Sequence, residues 1–266
     1  MGKKLILSLA IVVALGLGVA FWLFQTPPPE PEAMVLAPPP PAAVMPPPMP
    51  VEQHPIMAVD ASAEQVPLPD LEQSDSIYRQ ALAKLFGDKT LSRYFYSDRM
   101  IRRLVATVDN LSRHDAPAIM MPVKPVGGAF LVDHHGAEMS ISPANAQRYA
   151  RYMAVMTAVE PRRLVDLYVS FYPLFQRAYR ELGYPDGFFN DRLFEAIDSL
   201  LKTPEVAPPI ALAQPKVLYT YADESLQASS AGQRIMLRMG AENRAKVIKA
   251  LLAIRTELLG RSPAKE

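Results

Sequence analysis

Between Tyr172 and Arg192 the chain concentrates side chains that bind other molecules: Tyr172, Gln176, Tyr179, Arg180, Tyr184, Asp186, Asn190, Asp191 and Arg192 surround one proline–glycine turn. Tyrosine and arginine carry much of the energy at protein interfaces, so this segment is a candidate binding surface. The plainer reading is that the tyrosines pack as core while the polar groups cap helices and satisfy the turn. Asp191, Glu195 and Asp198 recur at i, i+4 and i+7 and so share one helix face. Paired carboxylates can hydrolyse a polymer by acid–base chemistry, and Asp186, Asp191 and Glu195 are the groups such an enzyme would use. A solvated face balanced by Arg192 and Lys202 explains the same spacing without chemistry. His134 and His135 are adjacent on an extended segment and point to opposite faces, while His54 and His114 lie in an arm and a loop, so no metal site is expected. No Gly-x-Ser-x-Gly elbow, Walker loop or dinucleotide fingerprint occurs, so no catalytic residue is assigned and no cofactor is expected.

These residues need helices to hold them. Ser74 or Asp75 can cap a first helix with Ile77, Tyr78, Ala81, Leu82, Leu85 and Phe86 inward, ended by Gly87. A second helix runs from Ser97 to Leu111, with Ile101, Leu104, Val105 and Val108 on one side and Arg99, Arg102 and Arg103 on the other. After a loop broken by Pro117, Pro122 and Pro125, Phe130–Val132 and Met139–Ile141 flank Asp133–Gly136 as a small hairpin. Ser142-Pro143 opens a helix through Met156, and Glu160-Pro161 opens another to Leu182. Leu164, Leu167, Tyr168, Phe171, Phe175, Ala178 and Leu182 make the latter the core element, with Pro173 expected to kink or split it. Asn190 is placed to cap a helix to Lys202; a proline-interrupted stretch from Pro204 to Pro215 and one short strand at Val217–Tyr221 follow. Two last helices, Ser230–Met239 and Ala241–Leu259, are divided by Gly240, for about seven helices in all.

The first quarter has another composition. Leu5 to Phe24 is an uncharged run of twenty residues, the length a helix needs to cross a hydrocarbon layer of about 30 Å. Lys3 and Lys4 precede it and Glu30 and Glu32 follow, which keeps the N-terminus cytoplasmic. Cleavage after Gly18-Val19-Ala20 is the rival reading, but it would leave Phe21–Phe24 as an apolar new terminus. Fifteen of the 27 prolines lie between Pro27 and Pro69, and such runs settle into polyproline II, a spacer with a reach on the order of 100 Å. With 28 Lys plus Arg against 27 Asp plus Glu, no field draws the chain to nucleic acid. Absence of cysteine removes disulfides and thiolate chemistry.

The runs Tyr172–Gln176, Tyr179–Gly187 and Asn190–Leu193, with Ala106–Leu111, Gln214–Tyr219 and Arg238–Gly240, resemble the proteobacterial family catalogued as domain of unknown function three-zero-one-four. The similarity spans about Pro67 to Leu259. It implies a bacterial envelope protein of the same layout and carries over no activity. The expected protein is mainly α: a cytoplasmic stub (1–4), a transmembrane anchor (5–24), a proline-rich linker (25–66), one helical domain with a minor β-hairpin (67–261) and a tail (262–266). It is expected in the bacterial inner membrane as a single-pass protein with its domain in the periplasm. There it would act as a non-enzymatic binding or scaffolding module for an envelope protein or cell-wall component, the alternative being a hydrolase of an envelope polymer.

Overall fold

The computed structural model describes residues 52–56 and 68–261. The expected stub, anchor, tail and most of the linker lie outside the described residues, and no described helix is long and apolar enough to cross a membrane.

Nine α-helices are described: α1 (Ser74–Phe86), α2 (Asp88–Tyr94), α3 (Met100–Leu111), α4 (Asn145–Thr157), α5 (Pro161–Glu181), α6 (Phe189–Leu201), α7 (Glu224–Gln227), α8 (Ala231–Arg238) and α9 (Ala241–Leu259). The protein is therefore mainly helical, with α2 and α7 as additions to the expected set. The central element is α5, which packs on α3 and α9, while α6 packs on α3. Proline at the first turn suits α5, since that position has no intrahelical use for an amide. Pro173 does not split α5, which runs from Pro161 to Glu181 as one helix. Its buried stripe is Val165, Val169, Phe171, Leu174, Phe175, Ala178 and Tyr179, and the expected Leu182 is exposed. Ile77 is likewise exposed, because α1 turns Tyr78 and Leu82 inward and leaves Ile77 on its outer side.

Two expected caps are corrected. Ser74 donates its hydroxyl to the Leu71 carbonyl, and Asp75 accepts from the backbone N–H groups of Arg99 (2.6 Å) and Met100 (2.8 Å). A carboxylate of α1 thus covers the first amides of α3, which starts three residues later than expected because Arg99 adopts a left-handed φ of 48°. Asn190 does not cap α6; its side chain is fully buried in the site described below. The expected cap at Ser230 does form, as a reciprocal box with Gln233.

The β portion is larger than a hairpin. Strands β1 (Val132–His135), β2 (Glu138–Ile141), β3 (Ala211–Ala213) and β4 (Thr220–Tyr221) form one antiparallel sheet in that order. His135 pairs with Glu138, so Asp133 to His135 belong to the strand and the turn is Gly136-Ala137, Gly136 having φ 62°. The stretch expected to be irregular after Pro204 supplies β3, because Leu212 finds Met139 on one side and Tyr221 on the other.

α8 approaches α3 closely at Gly232. A Cβ there would lie 2.6 Å from a Leu200 methyl and 2.8 Å from the Leu111 carbonyl oxygen. The backbone oxygen cannot swing aside, so overpacking of about 1–3 kcal/mol should outweigh the ~1 kcal/mol helix preference for alanine. Gly232→Ala is expected to lower the urea unfolding midpoint; an unchanged or raised midpoint would contradict this contact.

Candidate functional site

The first turn of α6 and the middle of α5 together hold a piece of the linker. Gln176 sets the frame: its Nε2 donates to the Gly187 carbonyl (2.6 Å), and its Oε1 accepts from the Phe189 N–H (2.8 Å). The glutamine of α5 therefore fixes where α6 begins. From that turn Asn190 donates through Nδ2 to the His54 carbonyl (2.6 Å) while its Oδ1 accepts from the Tyr168 hydroxyl (3.1 Å). Asp191 accepts the backbone N–H of Gln53 on Oδ2 (3.0 Å) and that of His54 on Oδ1 (2.7 Å). His54 Nδ1 lies 3.0 Å from the same Oδ1, and an ionised carboxylate can only accept, so this nitrogen carries the proton. The imidazole stacks on Phe194, centroids 4.0 Å apart at 13°. Ile56 packs on the apolar cluster of Val165, Val169, Phe194, Ile197 and Leu258. Tyr172 hydroxyl reaches Glu52 Oε1 (3.3 Å) at the other end. Three main-chain groups and three side chains of Glu52–Ile56 are thus engaged, which is the pattern of peptide recognition: backbone bonds for hold, pockets for side-chain choice.

The remaining expected residues serve another purpose. Asp109, 4% exposed, accepts from Arg192 Nε (3.0 Å) and Arg113 Nη2 (3.1 Å) on Oδ1 and from the Tyr184 hydroxyl (3.4 Å) on Oδ2. Arg113 also donates to the Tyr184 hydroxyl, and Arg192 to the Asp109 carbonyl. Tyr179 is buried and stacks on Tyr184 at 4.6 Å. This network joins α3 to the turn before α6 and so steadies the cradle from behind. Arg180 and Asp186 are exposed and make no side-chain hydrogen bond among the described residues. The carboxylate stripe is divided between separate partners: Asp191 on the arm, Glu195 on Arg192 (2.5 Å) and Asp198 on Arg255 (2.8 Å). Among the described residues no three His, Asp or Glu side chains converge as a metal-ligand set.

The expected binding residues do not include His54, Phe194 or Asp109. A signal existed for Asp109, which falls four residues after Val105 and eight after Ile101, on a stripe otherwise apolar. An acid at such a place implies a buried partner.

The family described as "Protein of unknown function (DUF3014)" matches residues 100–255, more than half of the chain. The chain belongs to the DUF3014 family. The match takes in α3 to α8 and most of α9, and hence both helices of the cradle, whereas Glu52–Ile56 lies before it. No match was found among curated proteins or solved structures.

In this DUF3014 domain the docked arm places an acid beside an acid. Glu52 is pushed above the ordinary carboxylate range by burial and by the Asp191 charge, against a lowering by the Tyr172 hydrogen bond. A carboxyl whose docked pKa is raised favours docking when protonated. That contribution is complete below its free pKa and is lost as pH rises through the docked one. Glu52→Gln should therefore tighten docking at neutral pH and flatten its dependence on pH above about 4.5, the ordinary value. Amide exchange at His54 across pH 4–7, compared with the parent, checks it. Weaker protection in the variant at pH 7 would contradict this assignment.

Proposed function

We propose that this chain is a membrane-tethered, non-enzymatic binding module of the bacterial envelope whose helical domain holds an extended peptide in the α5–α6 cradle. Support for the tether comes from the uncharged run Leu5–Phe24, the lysines before it and the prolines after it. The observation that carries the binding reading is the seating of Gln53 and His54, whose amides both bond one carboxylate and whose ring stacks on Phe194. A cradle that reads main-chain groups accepts any chain offering the same pattern: two successive amides, a flat ring, a proline and an aliphatic residue. The linker's own segment fills it in cis, and a partner segment of that chemistry competes for it. Asp191 and Glu195 are taken up by partners in this arrangement, which favours binding over hydrolysis.

The test uses the full chain carrying Gln53→Pro, His54→Pro and Ile56→Ala, which removes both amides, the ring and the aliphatic contact of the seated segment and so vacates the cradle without touching it. A synthetic peptide of residues 51–57 should then bind saturably, and Asp191→Ala in the same background should abolish this. A peptide that fails to bind the vacated chain sinks the reading. Periplasmic placement is tested separately by a C-terminal reporter active only outside the cytoplasm, and cytoplasmic activity would remove the envelope from the proposal.

A further inference from the structure

The loop that joins β3 to β4 carries the two most exposed large apolar side chains among the described residues: Val217 is 86% and Leu218 78% exposed. A lone aliphatic side chain at a surface needs no explanation, but two in succession at the apex of a hairpin put most of their area into water. The loop itself is well held. Gln214 donates through Nε2 to the Val217 carbonyl (3.2 Å), and the Thr220 hydroxyl donates to the Ala213 carbonyl (3.3 Å). Tyr219 turns back towards Phe130, ring centroids 6.5 Å apart, and packs on the cluster of Leu212, Tyr221 and Leu226. Both feet of the loop are therefore tied to the domain, while Lys216, Val217 and Leu218 stand clear of it.

The surroundings let this apex meet a flat partner. β2 runs antiparallel to both β1 and β3, so the Gly136-Ala137 turn lies at the same end of the sheet, and that tight turn is shorter than the loop of residues 214–219. No acid occurs between Glu205 and Asp223. Glu138 stands at the foot of the neighbouring turn, next to the Met139–Leu212 pair, so the apex carries the Lys216 cation and no acid. A cation on a long stem beside two aliphatic groups suits the boundary between water and lipid: the stem follows the apolar side chains inward and the ammonium stays at the headgroups. A protein partner is the poorer fit, because a stable protein interface takes about 800 Å² and 20–30 residues from each side, and this apex offers far less. A bilayer makes no such demand once the domain is tethered beside it, since tethering raises the local concentration of the tip. A domain of this length is about 40 Å across and the proline-rich spacer outspans it, so the spacer does not dictate which end faces lipid.

We propose that the β3–β4 loop is a membrane-contact tip, which dips Val217 and Leu218 into the boundary between lipid headgroups and acyl chains and holds the sheet end of the domain against the bilayer. This rests on the tether of the reading above and not on the peptide cradle. Two aliphatic side chains taken from water into hydrocarbon favour the inserted state by on the order of a hundredfold.

The experiment places the full chain, isotope-labelled at its backbone amides, in nanodiscs of phosphatidylcholine and phosphatidylglycerol, with and without lipids that carry a nitroxide high on the acyl chain. Nitroxide lipid should broaden the amide signals of Lys216, Val217 and Leu218 several-fold more than those of exposed residues on α4 such as Arg151 and Ala154. Val217→Ser with Leu218→Ser leaves the packed residues untouched and should remove that excess. Co-elution of chain and nanodiscs tests the tether by itself: a chain that elutes apart refutes the tether and the insertion with it. A co-eluting chain whose tip is broadened no more than α4, or as strongly in the serine variant, refutes the insertion alone. Tip broadening that follows chain concentration in the absence of nitroxide lipid gives the surface to a second copy and likewise overturns the proposal.

Discussion

Asp109→Ala should destabilise the domain by about 3 kcal/mol, since removing one partner of a buried ion pair strands the other charge. The carboxylate receives Arg192, Arg113 and the Tyr184 hydroxyl, and Arg192 has a side chain only 11% exposed. After truncation Arg192 keeps the Asp109 carbonyl and Glu195, which holds the loss near the lower end of the range for such deletions. Arg113 is nearly half exposed and recovers much of its hydration. The measurement is urea unfolding of the parent, Asp109→Ala, Arg192→Met and the double variant. An apolar replacement of the stranded arginine should recover part of the loss, so the two substitutions together should cost less than their sum. A single-variant cost below about 1 kcal/mol, or strict additivity, would mean the network is ornamental.

Asp191→Ala should free the arm while leaving the fold nearly intact. Two main-chain amides and the imidazole of the arm converge on this carboxylate, and hydrogen bonds to a charged group are worth about 1.5–3 kcal/mol each. Even one such loss speeds amide exchange at Gln53 and His54 by about tenfold to a hundredfold. Beyond the docking free energy itself, the cost to the helical fold stays below about 1 kcal/mol, the worth of an acid in the first turn of a helix, because the described hydrogen bonds of Asp191 all go to the arm. Asp191→Asn keeps one acceptor oxygen and should fall between. Unaltered exchange at both amides would show that the arm is held by its apolar contacts alone.

How much of this was legible in the sequence depended on distance along the chain. The ends of α5, α8 and α9 follow from proline, glycine and a serine–glutamine box, all signals contained within a few residues. Asp75 looks like the cap of its own helix and instead serves α3, because its use is decided by how α1 and α3 lie together. Strand β3 is only three residues long and sits among prolines, and nothing local announces it until Met139 and Ala211–Leu212 meet across the fold. At the site, Tyr172, Asn190 and Asp191 were legible as types that bind, and Tyr179, Tyr184 and Arg192 proved to be packing and pairing groups. The ligand of the cradle was hidden because His54 and Asp191 stand 137 residues apart, and a proline-rich composition suggests only a spacer.

The pinned segment also sets a ruler. With Glu52–Ile56 seated, the covalent path from the end of the uncharged run to the domain is residues 25–51; unseated, it is residues 25–67. On the proposed membrane tether, a spacer contour of ~3.1 Å per residue would bound the excursion from a bilayer at roughly 80 Å and roughly 130 Å. Displacement by a competing segment would then widen the hemisphere the domain can sweep about fourfold in volume, so capture of one partner would itself change which others come within range.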